Sequence, residues 1–185
     1  MSKVEANTAL ILIDWQEGFN DWDHWGGNRN NPDAEKNATL LLSHWRKSNL
    51  PVFHVIHHST IPESTLRKEK PSGQIIQPLV PLENETLMHK RENSIFVGTH
   101  LEVSLRRLNI QKLVISGLTT NHCVSTSTRM AGNLGFDVKL VGDACATFDR
   151  IGPDGQEFKA QLIHDICLSD LHNEFCQVIQ TQDLT

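Results

Sequence analysis

The chain has 185 residues, 38% apolar and 21% charged, which suits one domain (1–185) with a full core and excludes wholesale disorder. Its 17 basic and 22 acidic residues leave a net charge of -5, so nucleic acid is not an expected partner, because phosphate binding needs a cationic field. No apolar run approaches the roughly 18–20 residues of a membrane span, so no membrane partner is expected either.

The opening residues Met1 to Ala6 lack the apolar segment of a signal peptide. Cys123, Cys145, Cys167 and Cys176 form neither a CxxC pair nor a dense disulfide framework. The expectation is a cytoplasmic protein with reduced thiols.

The apolar runs are short and alternate with helical patterns. Residues 8–13 are almost continuously aliphatic, as in a strand buried on both faces. A helix follows over 33–49, with an apolar stripe from Leu40, Leu41, Leu42 and Trp45. Residues 51–56 read as the second strand, 61–85 as a long loop with at most one helical turn, and 86–89 as a short third strand. Thr99 and Glu102 have the spacing of a capping box opening a helix that runs to Arg107. Strand four is expected over 111–116, a helix over 121–134 and strand five over 137–141. A last long helix is expected over 153–171 and strand six over 175–179. This alternation predicts an α/β fold: a single Rossmann-like, three-layer α/β/α domain with a six-stranded, mainly parallel sheet.

Ligands of such sheets bind beyond the carboxyl ends of the strands. Asp14 follows strand one, His57 and His58 follow strand two, Lys90 follows strand three, and residues 117–123 join strand four to its helix. Cys123 is thereby delivered to a helix start, where free N–H groups and the helix dipole favour a thiolate and could hold an oxyanion. Asp14 is placed to take the thiol proton and Lys90 to favour the anion. Taken singly, each has a plainer reading: an inert buried thiol, a loop cap and a solvated lysine.

Three segments together outweigh those readings. Ala9-Leu10-Ile11-Leu12-Ile13-Asp14-Trp15-Gln16-Glu17-Gly18-Phe19, Lys90-Arg91-Glu92-Asn93-Ser94-Ile95-Phe96-Val97-Gly98-Thr99 and Gly117-Leu118-Thr119-Thr120-Asn121-His122-Cys123-Val124 occur in that order. The chain resembles the isochorismatase-like cysteine hydrolases, which include nicotinamidases and N-carbamoyl amidohydrolases. The resemblance extends from Thr8 to the last strand and takes in Gly135-Phe136-Asp137-Val138 and Asp143-Ala144-Cys145-Ala146-Thr147.

The resemblance implies a catalytic triad of Asp14, Lys90 and Cys123. It also implies a cis peptide between Leu118 and Thr119, and an oxyanion hole from the backbone N–H groups of Thr119 and Cys123. With the strand order 3-2-1-4-5-6, Lys90 must then cross roughly 10 Å, two strand spacings, to reach Asp14.

Phe19 matches a family pocket position, and Trp25, His57, His58 and Thr120 are further pocket candidates. Nicotinamidases of the family hold a metal through an Asp-x-His pair and a later His. Here Phe53-His54-Val55-Ile56-His57-His58 lacks the Asp, so neither metal nor cofactor is expected. The intact Cys123 implies cleavage of a small-molecule C–N bond (amide, carbamoyl or lactam) rather than the vinyl ether cut by true isochorismatases. The alternatives are a thiol redox or sensor protein and a catalytically inactive binding protein. A homo-oligomer, a dimer or larger, is expected from the family.

Overall fold

The computed structural model describes residues 4–185; Met1 to Lys3, part of the stretch read as carrying no export signal, lie outside the described residues. Six strands form one parallel sheet: β1 (Thr8–Ile13), β2 (Val52–His57), β3 (Thr86–Lys90), β4 (Lys112–Leu118), β5 (Asp137–Ala146) and β8 (Gln177–Ile179). Their order is β3-β2-β1-β4-β5-β8, and every pairing is parallel. This is the expected order 3-2-1-4-5-6, with the sixth sheet strand numbered β8 because β6 (Arg150–Ile151) and β7 (Glu157–Phe158) precede it as a separate antiparallel pair.

Alternation along β1 divides the core. Ala9, Ile11 and Ile13 face a cluster shared with α3 (Leu101–Arg107), α4 (Ser125–Asn133) and α5 (Ala160–Leu171). Leu10 and Leu12 face Leu41, Leu42 and Trp45 of α2 (Ala34–Lys47). All six β1 side chains are buried, which explains why the strand is aliphatic after Thr8. A four-residue helix, α1 (Trp22–Trp25), lies in the loop after β1. No helix among the described residues is long and apolar enough to cross a membrane.

Three local expectations are corrected. The last helix begins at Ala160, not near 153, because Pro153-Asp154-Gly155 makes a turn: Gly152 N–H donates to Gln156 O at 2.8 Å, and Asp154 Oδ1 accepts from Gln156 N at 3.1 Å. The capping box is not formed. His100 is the residue before α3, Thr99 Oγ1 accepts from Leu101 N at 3.3 Å, and Glu102 turns instead toward Arg106 at 3.6 Å. The helix expected over 121–134 opens as a π-helical turn over Thr120–Val124 before α4 starts. In addition, β5 continues to Ala146 past a register shift against β4, where Ile115 pairs Leu140 but Gly117 pairs Cys145.

Candidate active site

Asp14 directly follows β1 in a left-handed conformation (φ 55°), which a short polar side chain tolerates better than most, and it is fully buried. Lys90 ends β3 opposite His57 of β2, and its side chain is completely inaccessible. Its stem passes over the end of β2 to reach the end of β1. There Nζ donates to Asp14 Oδ2 at 2.7 Å, to Cys123 Sγ at 3.2 Å and to His57 Nδ1 at 3.3 Å. The ammonium has three N–H bonds, and all three are used. The other carboxylate oxygen, Asp14 Oδ1, is buried without a partner among the described residues.

Cys123 lies in the π-helical turn, 9% exposed, with Asn93 Oδ1 3.6 Å from its sulfur. Burial, and after it the charge of Asp14, push its thiol well above the usual range, against the opposing pull of Lys90. This corrects the expectation from a helix start: at rest the thiol keeps its proton. Burial alone would lower the Lys90 ammonium, but Asp14 and Cys123 outweigh it, so Lys90 is charged. The Leu118–Thr119 peptide, which leads into the Cys123 turn, is cis.

Ligand atoms of Asp14, His57 and Cys123 all lie within 4.8 Å of one another, a spacing compatible with a metal ion. Lys90 Nζ contacts all three groups, so a fixed positive charge already sits among them. His54, His57 and His58 do not converge. His54 Nε2 is bound to Glu85 Oε2 at 2.9 Å, and His58 stacks on His89 with ring centroids 4.1 Å apart.

The model of the isochorismatase domain matches residues 8–183. The chain belongs to the isochorismatase family. The isochorismatase family protein YrdC of Bacillus subtilis (strain 168) is 40% identical over 181 residues, covering 98% of this chain and 96% of its own. A crystal structure of an isochorismatase-family protein from Chromobacterium violaceum ATCC 12472 superposes with a TM-score of 0.93 at 38% identity, covering 99% of this chain and 94% of that one. A more distant relative, nicotinamidase 3 of Arabidopsis thaliana, is 24% identical over 155 residues, 77% of this chain and 74% of its own. Enzymes of the isochorismatase family are hydrolases, and members include cysteine hydrolases.

The pocket candidates of this isochorismatase-family chain divide. Phe19 and Trp25 stack at 4.5 Å, and Trp25 Nε1 donates to Gly18 O at 2.8 Å. Phe148, which was not read from sequence, completes the stack 6.2 Å from Trp25. These rings stand at the carboxyl ends of β1 and β5, the two neighbours of the strand that carries the Cys123 turn. Their loop is fastened to β5: Asn31 Nδ2 donates to Cys145 O at 2.7 Å, and Asn30 Oδ1 accepts from Thr147 N, also at 2.7 Å.

One other candidate is corrected, and one lies apart from the cluster. Thr120 is fully buried, with its hydroxyl 2.8 Å from His164 Nδ1, so it braces the turn against α5 instead of lining a cavity. His58 leaves the hydrogen-bonded cluster around the Lys90 ammonium because strand alternation carries His57 and Lys90 to one face, and it lines a neighbouring cavity with Lys68, His89 and Lys90.

Gln16, which the sequence shows only as part of the first motif, also belongs to the site. Its buried amide accepts from His57 N at 2.9 Å and donates to His57 O at 3.0 Å and Gly73 O at 2.8 Å. It thereby ties β1, the end of β2 and the long loop together. The visible signal was a polar residue two places beyond a buried strand.

Proposed function

We propose that this protein is a cysteine hydrolase that cleaves a small-molecule C–N bond, in an amide, carbamoyl group or lactam, through a thioester. The carrying observation is the Lys90 ammonium, which bridges Asp14 Oδ2 and Cys123 Sγ while Asp14 Oδ1 is left without a partner. A relative named as a nicotinamidase supports an amide substrate.

In the proposed reaction the thiol proton passes to Asp14 as the sulfur attacks the carbonyl carbon, and Lys90 balances the charge left on sulfur. The carbonyl oxygen is received by the N–H groups of Thr119 and Cys123. The C–N bond breaks, and the amine departs with the proton held by Asp14. Water then gives a proton to Asp14 and adds to the thioester. The C–S bond breaks, the acid leaves, and the thiol regains its proton. A neutral resting thiol suits this order, because the nucleophile forms only when an electrophile is seated.

The same reading has the protein acting in the cytoplasm as a homo-oligomer. Four unpaired, buried cysteines support the reducing compartment. The test is an amine-release screen over nicotinamide, carbamoyl amino acids, lactams and simple amides. Cys123→Ala should abolish release while the circular dichroism spectrum is retained. Undiminished turnover by that variant would sink the mechanism, and ligand binding without turnover across the panel would favour an inactive binding protein.

A further inference from the structure

We propose that His57 is a ligand-binding residue of this site, held by Lys90 in a single neutral tautomer that offers Nε2–H to an oxygen acceptor close to the carbon that Cys123 attacks. The inference rests on Cys123 being the reacting atom, and it adds a specificity-determining residue to that reading.

The argument starts from the ammonium. A charged lysine has no lone pair, so in its 3.3 Å contact with His57 Nδ1 it can only donate. Nδ1 must therefore be the bare nitrogen, and the ring proton resides on Nε2. The ring stays neutral because burial, then the charge of Lys90, oppose protonation and outweigh the opposite pull of Asp14 and Glu92. Among the described residues, nothing else hydrogen-bonds to the imidazole.

Position supports the same conclusion. The ring is half-buried beside the thiol, with Nδ1 on the same ammonium that contacts Asp14 Oδ2 and Cys123 Sγ, which leaves Nε2 at the other edge of the ring without a partner among the described residues. Its backbone is gripped on both sides by the Gln16 amide, so the imidazole does not need to be ordered by the ligand. His57 is thus a donor and not a general base, since the one nitrogen able to take a proton faces an ammonium. A ligand that fits carries a carbonyl, carboxylate or ether oxygen beside its reacting carbon.

The test uses the full-length protein and two readouts. In ¹⁵N-histidine NMR, His57 should show a bare Nδ1 and a protonated Nε2 from about pH 6 to about pH 8. Cys123 alkylation is then timed with iodoacetamide, which has the oxygen, and with iodoethane, which lacks it; the modified peptide is assigned by mass spectrometry. His57→Leu should lower the iodoacetamide-to-iodoethane rate ratio about tenfold, the scale of one hydrogen bond, and His57→Gln should keep most of it. An unchanged iodoethane rate shows that the thiol and fold are intact in each variant. A ratio indifferent to His57→Leu, or a proton on Nδ1, overturns the proposal. Loss of amine release in Cys123→Ala with an unchanged ratio in His57→Leu rejects the role of His57 alone. Retained release in Cys123→Ala rejects the hydrolase reading itself.

Discussion

Lys90 and Asp14 pair at 2.7 Å although the strands that carry them are not neighbours. Both side chains are wholly inaccessible, and β2 lies between β3 and β1. A buried ion pair of this kind does little for stability compared with a well-packed apolar pair, but breaking it leaves an uncompensated charge.

Lys90→Met should therefore destabilise the fold by about 3–5 kcal/mol in urea unfolding, and Asp14→Asn/Lys90→Met should recover part of that loss. A single variant as stable as the parent would show that Asp14 is not held as a buried carboxylate.

The neutral resting thiol has a kinetic consequence. Iodoacetamide should modify Cys123 more slowly at pH 7 than it modifies a free cysteine, with a rate still climbing beyond about pH 9. Asp14→Asn removes the negative charge that, after burial, raises the thiol and should speed modification at neutral pH by about tenfold. A plateau below pH 7 in the parent protein would mean a resting thiolate.

Glu85 joins three elements. Its carboxylate receives Arg46 Nε and an Arg46 terminal nitrogen at 2.7 and 2.9 Å, Leu82 N at 2.9 Å and His54 Nε2 at 2.9 Å. Burial raises its pKa, but these partners outweigh burial and bring it from 4.5 to about 2. The stability it contributes is thus fully present above about pH 4.5 and lost as pH falls toward about 2. The amount is on the order of 2 kcal/mol, after allowing for screening around the partly exposed Arg46. Glu85→Gln should lower stability at neutral pH and flatten its decline over that acid range, as measured by urea unfolding at successive pH values.

Gly117 supports the turn that carries Cys123. A Cβ there would lie 2.3 Å from the Ile13 carbonyl oxygen and 2.7 Å from Ile13 Cβ, so the backbone of β1 or β4 must move. Gly117→Ala should cost about 1–3 kcal/mol and disturb the Asp14–Cys123 relationship. The readouts are a lower melting temperature together with altered alkylation of Cys123, and an unperturbed variant would contradict the close approach of the two strands.

Much of the fold was legible because buried parallel strands leave continuous aliphatic runs. Residues 8–13 are the clearest example, and the order 3-2-1-4-5-6 expected of a Rossmann-like sheet is the one found. The misread segments were those where local chemistry competed with helical pattern. Pro153-Asp154-Gly155 made a turn within an expected helix, and Thr99 bonded its own loop while Glu102 turned to Arg106. At the site, Asp14 and Cys123 were marked by their places at the carboxyl ends of strands, and Lys90 by motif resemblance. Gln16 stood in a motif without a role and Phe148 in none, since their roles depend on groups 41 to 57 residues away for the first and more than 120 residues away for the second.

The sequence by itself determined which residues arrive at the carboxyl edge of the sheet, because strand periodicity and strand ends are local properties. It did not determine how Lys90 crosses β2, why His57 joins the cluster while His58 leaves it, or why Cys123 holds its proton. Those outcomes depend on the register of β2 against β3, on the turn Asp14 makes in its left-handed conformation, and on burial of charge from all sides. Distance and desolvation are sums over the whole packed structure, and only the tertiary fold decides them.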